Sequence, residues 1–301
     1  MKKNILVVTG GAGFVGTNLI KKLLEETKYQ ILSLDDYSSG NKKKHINNKK
    51  VVYIKGNTQN IHNLLNKYKK KIRTVFHFGE FARIFQSFKK FDQCYYSNTI
   101  GSKSVFKFCL DNKIKLIYSA TSASLGNNGN DKNLSPYAFT KSKNLELLEN
   151  FKNWFNFRYE VIYFYNVYGN YQICEGDMAT VIGIFENQFL KNKKLTVVRP
   201  GNQTRRFTHI DDTIRVCIEA WKNDKCRHYS ISNKKEYSIL EVAKMFKRKI
   251  KFLPERSGER YNSSLTKENY SNKIHKRFGK KNLNNYISNF LKKNNNIKNT
   301  K

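Results

Sequence analysis

Short apolar runs alternate with helical stretches along the first half of the chain, and this pattern predicts most of its secondary structure. Each run leads into a glycine or a polar residue, as buried strands commonly do. The predicted strands cover residues 4–8, the stretch that ends at Asp35, and residues 51–57, 74–80, 115–124 and 160–169. Between them, apolar residues recur at helical spacing, and after the first strand these are Leu19, Ile20, Leu23 and Leu24.

This regular alternation of strand and helix predicts an α/β fold. Parallel strands joined by helices form a doubly wound sheet of the Rossmann type, with right-handed crossovers. We expect a smaller C-terminal α/β region that binds the substrate beside this sheet. Ligands of such folds bind at the carboxyl ends of the strands. Those ends hold short or polar groups that suit a crevice, namely Asp35, Asn57, Phe78, Gly79 and Thr121.

The segment TGGAGFVG after the first strand carries a phosphate-binding pattern. Its glycines have GxxGxxG spacing between a strand and a helix, so a bare backbone and helix N-terminal amides can face a pyrophosphate. The residues facing it would be Gly10, Gly13, Phe14, Val15 and Gly16. Asp35 ends the next strand, where a carboxylate binds an adenosine ribose and disfavours a 2′-phosphate. The pattern predicts NAD rather than NADP, and a structural glycine turn is the alternative.

The segment SPYAFTKSK has two interpretations. In one it is a helix start, with Ser135 as the cap, Pro136 in the first turn, and Tyr137 and Lys141 on one face. In the other, the lysine ammonium favours the phenolate of Tyr137. A phenol with a pKa of about 10 would then become a base near neutral pH.

The formal net charge of +34 suggests polyanion binding at first sight. Lysine and asparagine are abundant along the whole chain and proline occurs three times, a composition typical of AT-rich codons. The lysines are scattered and do not form one basic arm or helix. We therefore expect no specific nucleic-acid partner, although non-specific polyanion binding at low salt remains expected.

Membrane, metal and disulfide features are not predicted. The chain has no run of 18 apolar residues, so we expect no membrane span. The cysteines show no CxxC pair and no metal-ligand spacing, so we expect no metal site and reduced thiols in a cytoplasmic protein. These cysteines are Cys94, Cys109, Cys174, Cys217 and Cys226.

Taken together, the motifs resemble those of a known family. TGGAGFVG, LDD, HFGE, YSATSA, SPYAFTKSK and YFYNVYG occur in the order seen in extended short-chain dehydrogenase/reductases. The likeness is to the nucleotide-sugar epimerase/dehydratase branch, typified by UDP-glucose 4-epimerase, and it covers roughly residues 4 to 270. The combination is specific, although each motif alone is not.

The resemblance implies a role for individual residues. Tyr137 would be the catalytic base, Lys141 would tune it and bind the nicotinamide ribose, and the hydroxyl of Thr121 would bind the reacting sugar oxygen. The implied NAD-binding residues further along the chain are Asn57, Phe78, Gly79, Asn98 and Tyr165. The implied substrate-binding residues, besides Thr121, are Asn166, Arg205 and Arg256, with the arginines on the pyrophosphate of the sugar nucleotide.

One local feature bears on the reaction. The resembling 4,6-dehydratases carry an acidic pair directly after the active-site threonine, whereas Ser122 and Ala123 follow Thr121 here. This favours a UDP-hexose 4-epimerase that returns a hydride from bound NAD to a transient 4-keto sugar. A reductase, a dehydratase, epimerisation at C2 or C5, and a non-catalytic NAD- or polyanion-binding protein remain alternatives. Arg83, in the stretch that would line the sugar pocket, has no clear counterpart in the family.

The same resemblance implies a domain organisation. We expect an NAD-binding Rossmann domain over residues 1–165, joined by part of 208–235, and a substrate-binding region over residues 166–280. Residues 281–301 should form a C-terminal helix and a frayed tail. We also expect a homodimer, because the family usually pairs two helices of each subunit.

Overall fold

A parallel sheet of eight strands forms the centre of the molecule. The computed structural model describes residues 3–125, 127–225, 227–256, 258 and 274–298. Numbered with all strands in chain order, the sheet contains β1 (Ile5–Thr9), β2 (Gln30–Asp35), β3 (Val51–Lys55), β4 (Ile72–His77), β5 (Lys115–Thr121), β6 (Tyr159–Phe164), β10 (His228–Ser232) and β13 (Ile274–Phe278). Their spatial order is β3-β2-β1-β4-β5-β6-β10-β13, which confirms the predicted Rossmann-type fold.

Helices cover both faces of this sheet, and that is why its strands are apolar on both sides. All five residues of β1 and all seven of β5 are buried. One face packs against α1 (Phe14–Glu26) and α8 (Ile210–Lys222), and the other against α5 (Ser102–Asp111) and α6 (Pro136–Phe155). Each fully buried large apolar side chain contributes about 1.5–3 kcal/mol, so the two layers fix the sheet firmly.

Short helices connect these layers at the carboxyl edge of the sheet. They are α2 (Ile61–Leu64), α3 (Ile84–Lys89) and α4 (Phe91–Tyr95). A π-helical turn at Tyr96–Gly101 joins α4 to α5. Both α3 and α4 pack against α6, so the segment after β4 is held beside the start of α6.

A smaller α/β region lies beside the large sheet, as the sequence predicted. It contains a three-stranded sheet of β11 (Glu236–Ser238), β9 (Thr204–His209) and β7 (Asn166–Tyr168), and a pair of β8 (Leu195–Val198) and β12 (Ile250–Leu253). Its helices are α7 (Val181–Leu190), α9 (Ile239–Met245) and α10 (Leu283–Lys298). A third apolar core, with Phe185, Phe207 and Phe246 fully buried, holds this region together.

Most element boundaries agree with the sequence pattern. Ser135 caps α6, since its Oγ accepts a hydrogen bond of 3.1 Å from the amide of Ala138, and Pro136 begins the helix. The strand predicted over residues 115–124 ends at Thr121, where a 3₁₀ turn at Ser122–Leu125 begins. The predicted domain limits stay predictions, and β10 and β13 from the second half of the chain complete the large sheet.

Two further expectations concern cysteines and membranes. Cys94, Cys109, Cys174 and Cys217 are free thiols, and Cys226 lies outside the described residues. Among the helices of the described ranges, none is long and apolar enough to cross a membrane.

Candidate active site

A cavity of about 710 Å³ opens at the carboxyl edge of the large sheet and extends to the smaller region. Its size lies within the range of ligand pockets. Nearly every residue predicted for the site lines this cavity, although these residues are spread over most of the chain. They are Gly10, Gly13, Phe14, Val15, Gly16, Asp35, Asn57, Phe78, Gly79, Thr121, Tyr137, Lys141, Tyr165, Asn166, Arg205 and Arg256.

The glycine loop after β1 forms one end of the cavity and depends on missing side chains. Gly10 has a φ of +69°, and a Cβ at this residue would lie 2.8 Å from the Gly79 nitrogen. A Cβ at Gly16 would lie 2.1 Å from the Gly10 carbonyl oxygen. The start of α1 can therefore pack directly on the loop, with Gly13 as a cap that has no side chain. This cradle fits a pyrophosphate at the helix N-terminus.

Asp35 is fixed next to the glycine loop. Its Oδ2 accepts a 2.9 Å hydrogen bond from the Ala12 amide, and its Oδ1 accepts one of 2.8 Å from the Tyr37 amide. A carboxylate can accept about four hydrogen bonds, so both oxygens keep capacity for ribose hydroxyls. The residues of this end thus fit the adenosine part of NAD.

The ends of β3 and β4 complete the floor of this crevice. Asn57 uses its Oδ1 to accept a 3.0 Å hydrogen bond from the Gln59 amide, which leaves its Nδ2 as a donor toward the cavity side of the loop. The amides of Phe78 and Gly79 donate to the Thr9 hydroxyl at 3.1 and 3.0 Å. The loops after β1 and β4 are therefore tied to each other.

Asn98 is the predicted cofactor residue that the structure places elsewhere. Its side chain is buried and does not line the cavity. The Oδ1 accepts a 2.7 Å hydrogen bond from the Phe81 amide, and the Nδ2 donates to the Phe81 carbonyl and to Thr140 Oγ1 at 3.0 and 3.2 Å. Asn98 holds the loop after β4 in place, because its amide atoms are fully used by that loop and by α6.

Thr121, Tyr137 and Lys141 meet at the centre of the cavity. Thr121 ends β5, while Tyr137 and Lys141 lie on successive turns of α6. Tyr137 and Thr121 both line the cavity, and the Thr121 side chain is near enough to lower the pKa of Tyr137. Lys141 donates to the Ser119 carbonyl oxygen and lies 4.6 Å from the centre of the Tyr118 ring. The helix start and the end of the neighbouring strand thus place a phenol, a hydroxyl and an ammonium together.

Glu80 forms a buried ion pair with Lys141, which the sequence analysis missed. The two side chains are 2% and 4% exposed. Glu80 Oε2 pairs with the ammonium, and Oε1 accepts hydrogen bonds from Ser102 Oγ, Tyr118 OH and Asn144 Nδ2 at 2.8, 3.1 and 3.2 Å. Every neighbour of this carboxylate is a donor, so the charge is well compensated despite its burial.

Burial, with a smaller contribution from Glu80, raises the pKa of Tyr137, whereas the sequence predicted a lowered pKa. Burial raises the pKa of Tyr137 to about 12; the hydrogen bond with Thr121 opposes this rise, the negative charge of Glu80 adds to it, and the positive charge of Arg83 opposes it. The sequence predicted that Lys141 would lower this pKa. In the structure the ammonium is neutralised by Glu80, so its field at the phenol is weak.

The second half of the chain supplies the opposite wall. Tyr165 shares a 2.7 Å hydrogen bond with Ser230 Oγ, and Asn166 donates from Nδ2 to the Arg206 carbonyl at 3.0 Å. Arg205 is buried and donates from Nη1 to the Thr204 carbonyl at 2.8 Å. The guanidinium of Arg256 lies 5.1 Å from the centre of the Phe85 ring. Both arginines face the cavity, where planar cationic groups suit phosphate oxygens.

Comparison with known proteins shows the family of the chain. The NAD dependent epimerase/dehydratase family matches residues 6–232, and the chain belongs to this family. A putative UDP-glucose 4-epimerase of Methanocaldococcus jannaschii is 28% identical over 85% of this chain and 88% of its own. ADP-L-glycero-D-manno-heptose-6-epimerase of Brachyspira hyodysenteriae is 29% identical over 81% of this chain and 80% of its own.

The fold is also found among solved structures. UDP-glucose 4-epimerase of Thermotoga maritima, solved with UDP-glucose, superposes with a TM-score of 0.84 at 22% identity, covering 96% of this chain and 97% of that one. The chain is therefore an NAD-dependent epimerase/dehydratase family member with an extended short-chain dehydrogenase/reductase fold.

The buried ion pair leads to a prediction about stability. Lys141→Met leaves Glu80 as an unpaired buried charge and should lower the free energy of unfolding by about 3–5 kcal/mol. The double variant Glu80→Gln, Lys141→Met should recover most of this loss, because neither buried charge remains. Urea unfolding of the single and double variants measures both effects.

An exposed ion pair on the same helix gives the matched control. Lys143 and Glu146 are 2.8 Å apart, and both side chains are about half exposed. Lys143→Met should change the free energy of unfolding by no more than about 0.5 kcal/mol. Equal losses for Lys141→Met and Lys143→Met would contradict the assigned pair.

Proposed function

We propose that the protein is a UDP-hexose 4-epimerase that works through a transient 4-keto sugar. The observation that carries this proposal is that Tyr137, Thr121 and Lys141 line one cavity together with the glycine loop that fits a pyrophosphate. A related protein named as a putative UDP-glucose 4-epimerase aligns over most of both chains, which supports the same substrate class.

The protein side of the reaction would begin at the sugar hydroxyl. Tyr137 accepts the proton of the 4-hydroxyl, and the Thr121 hydroxyl donates a hydrogen bond to the same oxygen. Thr121 and Arg83 favour the phenolate of Tyr137, since both lower the pKa that burial and Glu80 raise. Bound NAD would supply the hydride acceptor and donor. The Lys141 ammonium donates two of its three N–H groups to Glu80 and the Ser119 carbonyl, and the third would bind the cofactor ribose.

Binding of the substrate would rest on the smaller region. Arg205 and Arg256 bind the diphosphate, and Asn166 binds the sugar or a phosphate. Arg205 lies in β9 and Arg256 follows β12, both in the smaller region, so these arginines can hold the nucleotide while the sugar points toward Tyr137. After oxidation at C4 the ring would exchange its contacts at the sugar end, turn about its link to the diphosphate and take the hydride back on its other face, which is the requirement for epimerisation.

A 4,6-dehydratase is a weaker candidate on the same geometry. Elimination of water needs an acid and a base beside the sugar. Ser122 and Ala123, in the positions after Thr121, are buried in a 3₁₀ turn and carry no carboxylate. Glu80 lines the cavity, but both of its oxygens are already hydrogen-bonded. An NDP-sugar reductase and a non-catalytic NAD-binding protein stay alternatives.

Turnover of UDP-sugars tests the proposal. Protein purified without added cofactor, incubated with UDP-glucose, UDP-galactose and their N-acetyl forms, should produce the 4-epimer in proton NMR spectra. Tyr137→Phe should lower kcat by about 10²- to 10⁴-fold, because the general base is lost while NAD binding remains. Tyr171→Phe, which removes a hydroxyl from an exposed tyrosine, is the matched control and should leave kcat unchanged. A 4-keto-6-deoxy product, or full activity of Tyr137→Phe, would contradict the proposal.

We also propose that two copies of the chain form a homodimer through α4, the following π-helical turn and α6. The helices α4 and α6 pack against each other. Together with the π-helical turn, they carry large apolar side chains that are 40–51% exposed. These side chains are Phe91, Tyr95, Ile100 and Phe139. A second copy would remove this apolar surface from water.

A charge on this surface tests the dimer. Phe91→Glu would bury a carboxylate in the interface, so the sedimentation mass should fall from two chains to one. Leu190→Glu, at an exposed position at the end of α7 in the smaller region, is the control and should leave the mass unchanged. A mass of one chain for the unmodified protein would overturn the homodimer. Cytoplasmic location remains a prediction from the cysteines.

A further inference from the structure

Arg83 lies in the wall of the cavity, and no described residue is a charged partner for it. It precedes α3 and lines the same cavity as Tyr137 and Thr121. Its Nη1 donates to the Ala82 carbonyl at 2.7 Å, and its Nη2 donates to the Met178 carbonyl. Two neutral carbonyl groups hold the guanidinium in place but do not neutralise it.

The acidic residues around Arg83 are already paired with lysines. Glu80 is bound by Lys141, and Asp177 lies 2.9 Å from Lys90. No carboxylate in the part of the chain that the structure describes pairs with Arg83. The guanidinium therefore presents an uncompensated positive charge to the cavity, and an anion from outside the chain would stabilise it.

One hydrogen-bond donor of Arg83 also lacks an acceptor. The Nε atom is buried and has no hydrogen-bond partner among the described residues. A buried donor without an acceptor costs about 1–3 kcal/mol. Planar carboxylates match the geometry of the guanidinium fork, so a ligand carboxylate suits the charge of Arg83 better than a neutral group does.

The position of Arg83 indicates which part of a ligand it would meet. Arg83 caps α3, whose Ser87 Oγ accepts a 3.3 Å hydrogen bond from the Tyr137 amide, and Arg83 and Tyr137 line the same cavity, so Arg83 lies near its reacting end. Arg205 and Arg256 come from the smaller region and are the residues proposed above for the diphosphate. A neutral hexose would leave the third arginine without a counter-charge at the sugar end.

We propose that Arg83 binds the carboxylate of a hexuronic acid, so that the preferred substrate is a nucleotide-linked hexuronate rather than a neutral hexose. This inference rests on the proposed function for the identity of the site, and it refines the substrate class. The carboxylate at C6 would pair with the guanidinium while the 4-hydroxyl faces Tyr137.

Binding of UDP-glucuronate and UDP-glucose to the NAD-loaded protein tests the inference by calorimetry. The unmodified protein should bind UDP-glucuronate more tightly. Arg83→Gln should weaken UDP-glucuronate binding by about 10- to 100-fold, the usual effect of losing a charged hydrogen-bonded contact. It should change UDP-glucose binding by less than about 3-fold. Lys89→Gln, which removes an exposed lysine of the same helix, is the matched control and should affect neither ligand.

The outcomes separate this inference from the proposed function. Equal or absent binding of the two ligands to the unmodified protein overturns the inference, even if Arg83→Gln fails to fold. So does an equal loss for both ligands in Arg83→Gln, which would indicate that the arginine serves the diphosphate or Tyr137. Turnover is measured separately from binding. Tighter binding of UDP-glucuronate without formation of any 4-epimer would support the inference and contradict the proposed 4-epimerase activity.

Discussion

The buried ion pair of Glu80 and Lys141 is the interaction on which the candidate active site depends. It joins the loop after β4 to α6, and its hydrogen bonds extend to α5 through Ser102 and to β5 through Tyr118. Four elements of the Rossmann domain therefore meet at one carboxylate. Because α6 also carries Tyr137, the position of the phenol relative to Thr121 is fixed by the same contacts.

The ion pair has an electrostatic consequence as well. A lysine beside a phenol would normally favour the phenolate. Here the lysine and Glu80 form an ion pair, and this pair has little net charge. Burial and Glu80 both raise the pKa of Tyr137, whereas Arg83 lowers it. Arg83 lines the cavity and has no carboxylate partner among the described residues. Positive charge in this site is therefore divided between a lysine paired with Glu80 and an arginine that lines the cavity.

Local patterns were sufficient to predict much of the molecule. The strands, the glycine loop, Asp35 and the cap of α6 each follow from residues close together in the chain, and the structure brings them to one edge of the sheet. Asn98 could not be placed this way. It lies in the π-helical turn after α4, and its hydrogen bond with Phe81 depends on how that turn packs against the loop after β4. Glu80 gave a visible signal, a carboxylate directly after an apolar strand and a glycine, but its pairing with Lys141 depends on the tertiary packing of α6.

The pKa of Tyr137 is the quantity that tests this account most directly. Carbon-13 NMR of tyrosine-labelled protein, with the Tyr137 signal assigned by its loss in Tyr137→Phe, would follow the phenol through a pH titration. We predict a midpoint above the usual value of about 10 and a lower midpoint in Glu80→Gln, because removing the negative charge favours the phenolate. A midpoint at or below 10 in the unmodified protein, or the same midpoint in both proteins, would contradict the role assigned to the Glu80 and Lys141 pair.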